Sequence, residues 1–259
     1  MNGLHVEDRG NARWITLDRP DCRNALTPEL IEAVGTAVRG ATDAGARCIV
    51  LAGRNEAFCS GLDLRVAMDG GAELLHDAHA HLARFQGAIR AIVEAPQPTV
   101  AVLDGVAFGF GADLALACDL RVASTRAYFQ EGFTRIGLIP DGGGTWMLPR
   151  LIGLSKALEL TLLADKLDAT AANHLGLLCR LVEPAELQTA AEAVVSKLAN
   201  GAPIALRHIK QLMRQGLEKP FREAFEAEGN AQVECVRSSD CIEGITAFFQ
   251  KRPPNFQGA

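Results

Sequence analysis

Two carboxylates in glycine-bearing segments are the first residues of this 259-residue chain that point to chemistry. Asp113 closes the run Asp104-Gly105-Val106-Ala107-Phe108-Gly109-Phe110-Gly111-Ala112. Asp141 lies within Gly137-Leu138-Ile139-Pro140-Asp141-Gly142-Gly143-Gly144-Thr145. A third segment, Ala57-Phe58-Cys59-Ser60-Gly61-Leu62-Asp63-Leu64, has the same character. Glycine at a turn lets the backbone approach a ligand and leaves amide N–H groups free to point at it. Loops that follow strands are where ligands bind in α/β sheets. Taken as residues alone, the pattern describes a main-chain oxyanion site with carboxylates beside it. Two plainer roles stay open: Asp113 as the cap of a short helix, and Asp141 as the middle of a Pro-Asp-Gly turn.

Other chemistries are poorly supported. Gly109-Phe110-Gly111 begins a dinucleotide fingerprint, but Leu114 stands where its third glycine belongs, and there is no GxxxxGK[ST] motif. His76 and His79 share a helix face that His81 does not, and no carboxylate pattern completes a set of ligands, so no metal is expected. With 26 Lys+Arg against 31 Asp+Glu the net charge is −5, and no basic run favours nucleic acid. A few local cations still suffice for a small anionic ligand. Seven cysteines without a CxxC pair read as reduced thiols in a cytoplasmic setting. Residues 1–10 lack the apolar run of a secretory signal. The most apolar stretch, 99–118, is broken by Asp104, Asp113 and glycines, so no membrane span is expected.

The elements that must position these loops alternate. Leu4–Glu7 and Arg13–Leu17 flank Arg9-Gly10-Asn11 as a hairpin. Thr27-Pro28-Glu29 opens a helix that Gly45 closes. A strand over Cys48–Ala52, a helix over Glu73–Glu94 and a strand over Thr99–Leu103 follow. Next come a glycine-rich turn over 105–111, a short helix from Asp113 to Ala117 and a strand over Leu120–Ala123. This order argues for an α/β protein with a parallel-type sheet. After Ser155 the periodicity is helical over 156–163, 170–175, 186–199, 204–215 and 242–251, with no strand of any length between. Asp119 and Arg121 are expected to pair with each other.

The three loops, in their order and spacing, resemble the enoyl-CoA hydratase/isomerase (crotonase) superfamily. Arg19-Pro20-Asp21-Cys22-Arg23-Asn24-Ala25-Leu26 is similar to its RPxxxNAL segment, and Phe58 to Leu64 to its FxxGxDL segment. Gly105 to Asp119 is similar to NGxAxGGGxELALACD, and Phe248-Phe249-Gln250-Lys251-Arg252-Pro253 to the closing FxxKRxP. The resemblance implies a ClpP/crotonase-like spiral of ββα units over residues 1–195. A helical trimerisation region over 196–259 follows, in a homotrimer or a dimer of trimers. It also implies an acyl-CoA thioester substrate, with coenzyme A entering as part of that substrate and no further cofactor. The shared chemistry is a thioester enolate held by two backbone amides, each worth about 3 kcal/mol. By position these amides are those of Cys59 and Phe110, the latter where the family usually has Gly or Ala. The same comparison puts Ala25, Ala57, Ser60, Gly61 and Leu62 around the substrate. It also puts Arg23 and a neighbouring subunit's Lys251 near the CoA phosphates, and Phe248 near the adenine.

The acid positions favour one reaction. A family hydratase holds a water between two glutamates. Here the first position is Asp113 and the second, counted back from Pro140, is Phe133, with Glu131 two residues out of register. Asp141 matches the carboxylate of several family isomerases, and one carboxylate suffices to move a proton from C2 to C4. Apolar surface from Phe129, Phe133, Leu138 and Trp146 would raise its basicity. The expectation is an enoyl-CoA isomerase, acting on a double bond or a ring epoxide. The alternatives are a hydratase in which Asp113 takes part, and an acyl-CoA-binding member with little turnover.

Overall fold

The computed structural model describes residues 3–69 and 77–259. The chain opens with the expected hairpin, β1 (Leu4–Arg9) against β2 (Ala12–Leu17), paired from Leu4–Leu17 to Arg9–Ala12. Then come β3 (Cys48–Gly53), β4 (Ala57–Cys59), β5 (Thr99–Leu103), β6 (Val106–Phe108), β7 (Leu120–Ser124) and β8 (Tyr128–Gln130), followed by the short β9 (Leu167–Asp168) and β10 (Arg180–Val182). They form two sheets, ordered β1-β2-β3-β5-β7-β10 and β4-β6-β8-β9. Three times the chain leaves the larger sheet and enters the smaller one within a few residues, at β3–β4, β5–β6 and β7–β8. This repeat makes the spiral of strand pairs. β9 and β10 correct the expectation of a strand-free second half: strands of two and three residues leave no readable alternation.

The central strands are apolar throughout because both faces of the large sheet are covered. Ile49, Leu51, Ala101, Leu103 and Ala123 face the main core. Val50, Val100, Val102 and Val122 face a second layer with Leu187, Ala191, Val194 and Val195. Each such buried aliphatic side chain contributes about 1.5–3 kcal/mol.

Helix α1 (Pro28–Arg39) is capped by Thr27, whose hydroxyl accepts from the Leu30 amide at 3.2 Å. It ends at Arg39, short of Gly45, which instead closes the turns that follow. After α2 (Leu64–Asp69), α3 (Ala78–Glu94) starts at an Asp77 cap and packs on α1. Residues 73–76 of the expected helix, His76 included, lie outside the described residues. α4 (Phe110–Ala117) is wholly buried and begins three residues before Asp113. The remaining helices are α5 (Gly144–Ile152), α6 (Leu154–Leu163), α7 (Ala169–His174), α8 (Leu187–Ala199), α9 (Pro203–Gly216), α10 (Phe221–Arg237) and α11 (Ser239–Gln250). Residue 195 falls inside α8, so the helices beyond the sheet layer begin at α9.

Asp119 and Arg121 do not pair with each other. Asp119 accepts from the Thr99 amide and hydroxyl, at 2.8 and 2.9 Å, and meets Lys210 at 3.0 Å and Arg214 at 2.7 Å. Arg121 donates to the carbonyls of Leu177 and Cys118. Asp119 thereby latches α9 to the core. Among the described residues no helix is long and apolar enough to cross a membrane.

Candidate active site

The loops of residues 57–64 and 104–113 meet where β4 and β6 end. Gly61 has φ +84°, and a Cβ there would stand 2.7 Å from the Phe108 carbonyl oxygen and 3.5 Å from the Phe110 nitrogen. Only glycine fits so close an approach. The turn it makes is held from behind by Asn24, which is buried. Asn24 Nδ2 donates to the carbonyls of Arg54 and Ala57 at 3.0 and 2.8 Å, and its Oδ1 accepts from the Arg19 amide at 2.8 Å. Asp63 closes the loop, 4% exposed and bonded to Arg19 at 3.0 Å. The Arg65 hydrogen bond, with help from Arg19, holds the Asp63 carboxyl below its usual range.

Main-chain donors decide what the loops can bind. Ser60 N donates to the Arg23 carbonyl, Gly61 N to Cys59 Sγ and Asp63 N to the Leu26 carbonyl. Among the described residues the Leu62 amide meets no acceptor. Phe110 opens α4, and its amide likewise meets none, as first-turn amides do. Leu62 and Phe110 both line a cavity of about 370 Å³. Cys59 does not. It is fully buried under Gly111, its thiol donates to the Asn24 carbonyl at 3.2 Å, and burial pushes that thiol up to about 12. The free amide that the 57–64 loop presents to the cavity is therefore that of Leu62 rather than Cys59. The signal lay in the glycine before it, whose positive φ turns the next amide outward.

The carboxylates are just as unequal. Asp141 stands on the cavity wall, its own carbonyl accepting from Gln86 Nε2 at 3.2 Å and its Oδ1 unpartnered. Burial raises its carboxyl above the usual value. Asp113 lies behind the wall, where Oδ2 accepts from the Gly142 amide at 2.9 Å. A Cβ on Gly142 would stand 2.7 Å from that same oxygen, so the loop packs directly on the carboxyl. Burial first, then the charge of Asp141, pushes Asp113 up to about 8, and it keeps its proton at neutral pH. It does not cap α4, a place taken by Gly109. Glu131 is 4% exposed with Oε2 unpartnered, and burial followed by Asp113 and Asp141 raises its carboxyl strongly. It borders a separate small void with Phe129 and Leu160.

Of the other expected residues, Ser60, Gly61, Leu62, Phe133 and Leu138 are on the cavity wall. Ala25 and Ala57 are buried behind it, lending carbonyls to Arg19 and Asn24. Trp146 is turned away, with the Arg150 guanidinium 4.1 Å above its ring, and Phe129 faces the Glu131 void. Arg23 takes a left-handed conformation and anchors Ser60 through its carbonyl. Phe248, 79% exposed, and Lys251 lie at the end of α11, off the wall of this chain's own cavity. Among the described residues no three His, Cys, Asp or Glu gather as metal ligands, and His81 is a wall residue.

The profile of the enoyl-CoA hydratase/isomerase family matches residues 8–259. A relative in Rhodobacter capsulatus described as "Probable enoyl-CoA hydratase" is 39% identical over 244 residues, covering 94% of this chain and 93% of its own length. The 1,2-epoxyphenylacetyl-CoA isomerase of Escherichia coli is 32% identical over 256 residues, covering 98% and 97%. The crystal structure of an enoyl-CoA hydratase from Bacillus anthracis superposes with a TM-score of 0.93 at 30% identity, covering 100% of each chain. The chain belongs to the enoyl-CoA hydratase/isomerase family and has its crotonase fold.

Proposed function

We propose that this enzyme isomerises an enoyl-CoA thioester through a single carboxylate. The observation that carries the reading is that Asp141 is the one carboxylate among the described residues of the cavity wall. The thioester oxygen sits between the amides of Leu62 and Phe110. Asp141 removes a proton from C2, the charge moves onto that oxygen as a dienolate, and the same carboxyl returns the proton at C4. The substrate gains and loses one proton, so no water and no cofactor beyond its own CoA is consumed. The apolar surroundings of Asp141 disfavour its charged form and strengthen it as a base. Adding water calls for two acids around it. Asp113 is sealed behind the Gly142 loop, and Phe133 fills the second place.

The exposed apolar side chains of α9 to α11, among them Met213, Phe221, Phe225 and Ile245, are the surface by which copies would assemble into a trimer. A neighbouring copy's Lys251 and Phe248 would then complete the CoA site. The test is a panel of CoA thioesters followed by mass and double-bond position. Conversion of 3-enoyl-CoA to 2-enoyl-CoA, lost in Asp141→Asn, supports the reading. Rapid hydration of crotonyl-CoA that survives Asp141→Asn overturns it, and so does tight binding without turnover of any thioester.

A further inference from the structure

The wall of the cavity is aromatic to an unusual degree for a chain with 5% aromatic residues. Phe85, Phe108, Phe110 and Phe133 all line the cavity, with His81 beside them. Phe110, Phe85 and His81 are held as a ladder. The rings of Phe110 and Phe85 meet edge to face at 5.1 Å and 84°, and Phe85 meets His81 at 5.0 Å and 35°. Phe110 is also held from above, because a Cβ on Gly142 would stand 2.9 Å from its Cε2. The ladder thus begins at Phe110, the residue whose amide is the proposed oxyanion donor.

Among the described residues of this wall there is one guanidinium. It belongs to Arg135, and it donates to the Ala164 carbonyl at 2.9 Å. Burial lowers the pKa of His81, followed by the charge of Arg84. Asp141 supplies the opposite charge. A carboxylate on the acyl group would meet repulsion from Asp141 on this wall.

Resting on the acyl-CoA reading above, we infer that the acyl group this site selects is an uncharged ring, gripped edge and face by Phe110, Phe85 and Phe133. A rigid ring meets fixed aromatic edges in the edge-to-face and offset geometries such rings prefer, whereas a linear chain of equal carbon number presents no face.

Binding of thioesters that lack an isomerisable double bond tests this apart from catalysis. Phenylacetyl-CoA, octanoyl-CoA and suberyl-CoA each have eight acyl carbons and can be titrated calorimetrically into the full-length protein. Phenylacetyl-CoA is expected to bind about tenfold tighter than octanoyl-CoA, in line with one or two edge-to-face contacts. Suberyl-CoA is expected to bind weakest. Phe85→Leu and, separately, Phe133→Leu should bring the first ratio to within about threefold while leaving the affinity for free CoA unchanged. Equal or tighter binding of octanoyl-CoA by the unaltered protein overturns the inference and leaves the acyl-CoA reading standing. Failure of every thioester to bind overturns both. Ring preference without turnover overturns only the isomerase.

Discussion

Asp113 and Gly142 are joined by a 2.9 Å hydrogen bond from the glycine amide to the aspartate carboxyl, which ties helix α4 to the loop that carries Asp141. The residue at the first acid position of a hydratase thus sets the place of a different acid. Asp113→Asn keeps an oxygen able to accept from Gly142 and should retain kcat within about threefold. Asp113→Ala lets the loop drift and should lower kcat about 10²-fold with little change in KM, the scale expected when a reacting group is misplaced by about an ångström. Steady-state kinetics on a 3-enoyl-CoA distinguish this from direct proton transfer, in which both variants would fail alike.

The same carboxyl makes stability depend on pH. Asp113 is raised from 3.8 to about 8 in the folded protein. Between those values the unfolded chain has released the proton and the native one has kept it. Stability therefore falls as pH rises through this window and levels off above it. Glu131, also raised, adds a slope of the same sign. Melting temperatures of the parent should decline from about pH 5 to pH 8, and Asp113→Asn should show a shallower decline.

Catalysis should respond in the opposite sense. In the proposed reaction Asp141 is the base, so kcat/KM should climb as this carboxyl ionises, with an apparent pKa above the ordinary 3.8, and then reach a plateau. Asp141→Asn should lower kcat by about 10²–10⁴, the usual contribution of a positioned acid–base group, with CoA affinity unchanged.

Removal of a main-chain donor needs a residue without an N–H. Leu62→Pro should cost about 10²–10³ in kcat, as loss of one oxyanion donor does. Cys59→Ala, three residues earlier and buried under Gly111, should keep kcat within about threefold. Circular dichroism of both variants separates loss of the donor from loss of the fold.

The latch at Asp119 should be structural. Asp119→Ala strands the buried ammonium of Lys210, and uncompensated buried charges cost about 3–5 kcal/mol. Lys210→Met with Asp119→Ala together should recover much of that loss in chemical denaturation.

Much of this architecture was legible in residue order, for identifiable reasons. Strands β3 and β5 read as unbroken apolar runs because each is covered on both faces. Asp141 was legible because Ile-Pro-Asp-Gly-Gly places an acid at a sharp turn after an apolar segment. α10 escaped notice because its apolar residues face outward and Ala231 is its buried member. The Leu62 donor was hidden because an amide can belong to any residue type, so nothing in the side chain marks it. The partners of Asp119 lie about 90 positions along the chain, beyond any local pattern. Trp146 was misplaced for a related reason, since which side of α5 faces the ligand is decided by packing.

The tightness of the Gly142 turn against Asp113 bears on how this scaffold diversifies. Installing both glutamates of the water-adding pattern, by Asp113→Glu with Phe133→Glu, is not a two-codon conversion. The extra methylene at 113 would enter space the turn already occupies, and relieving it would displace the segment on which Asp141 is mounted. On the isomerase proposal, descent toward hydration would pass through a form that has lost the old activity before acquiring the new one.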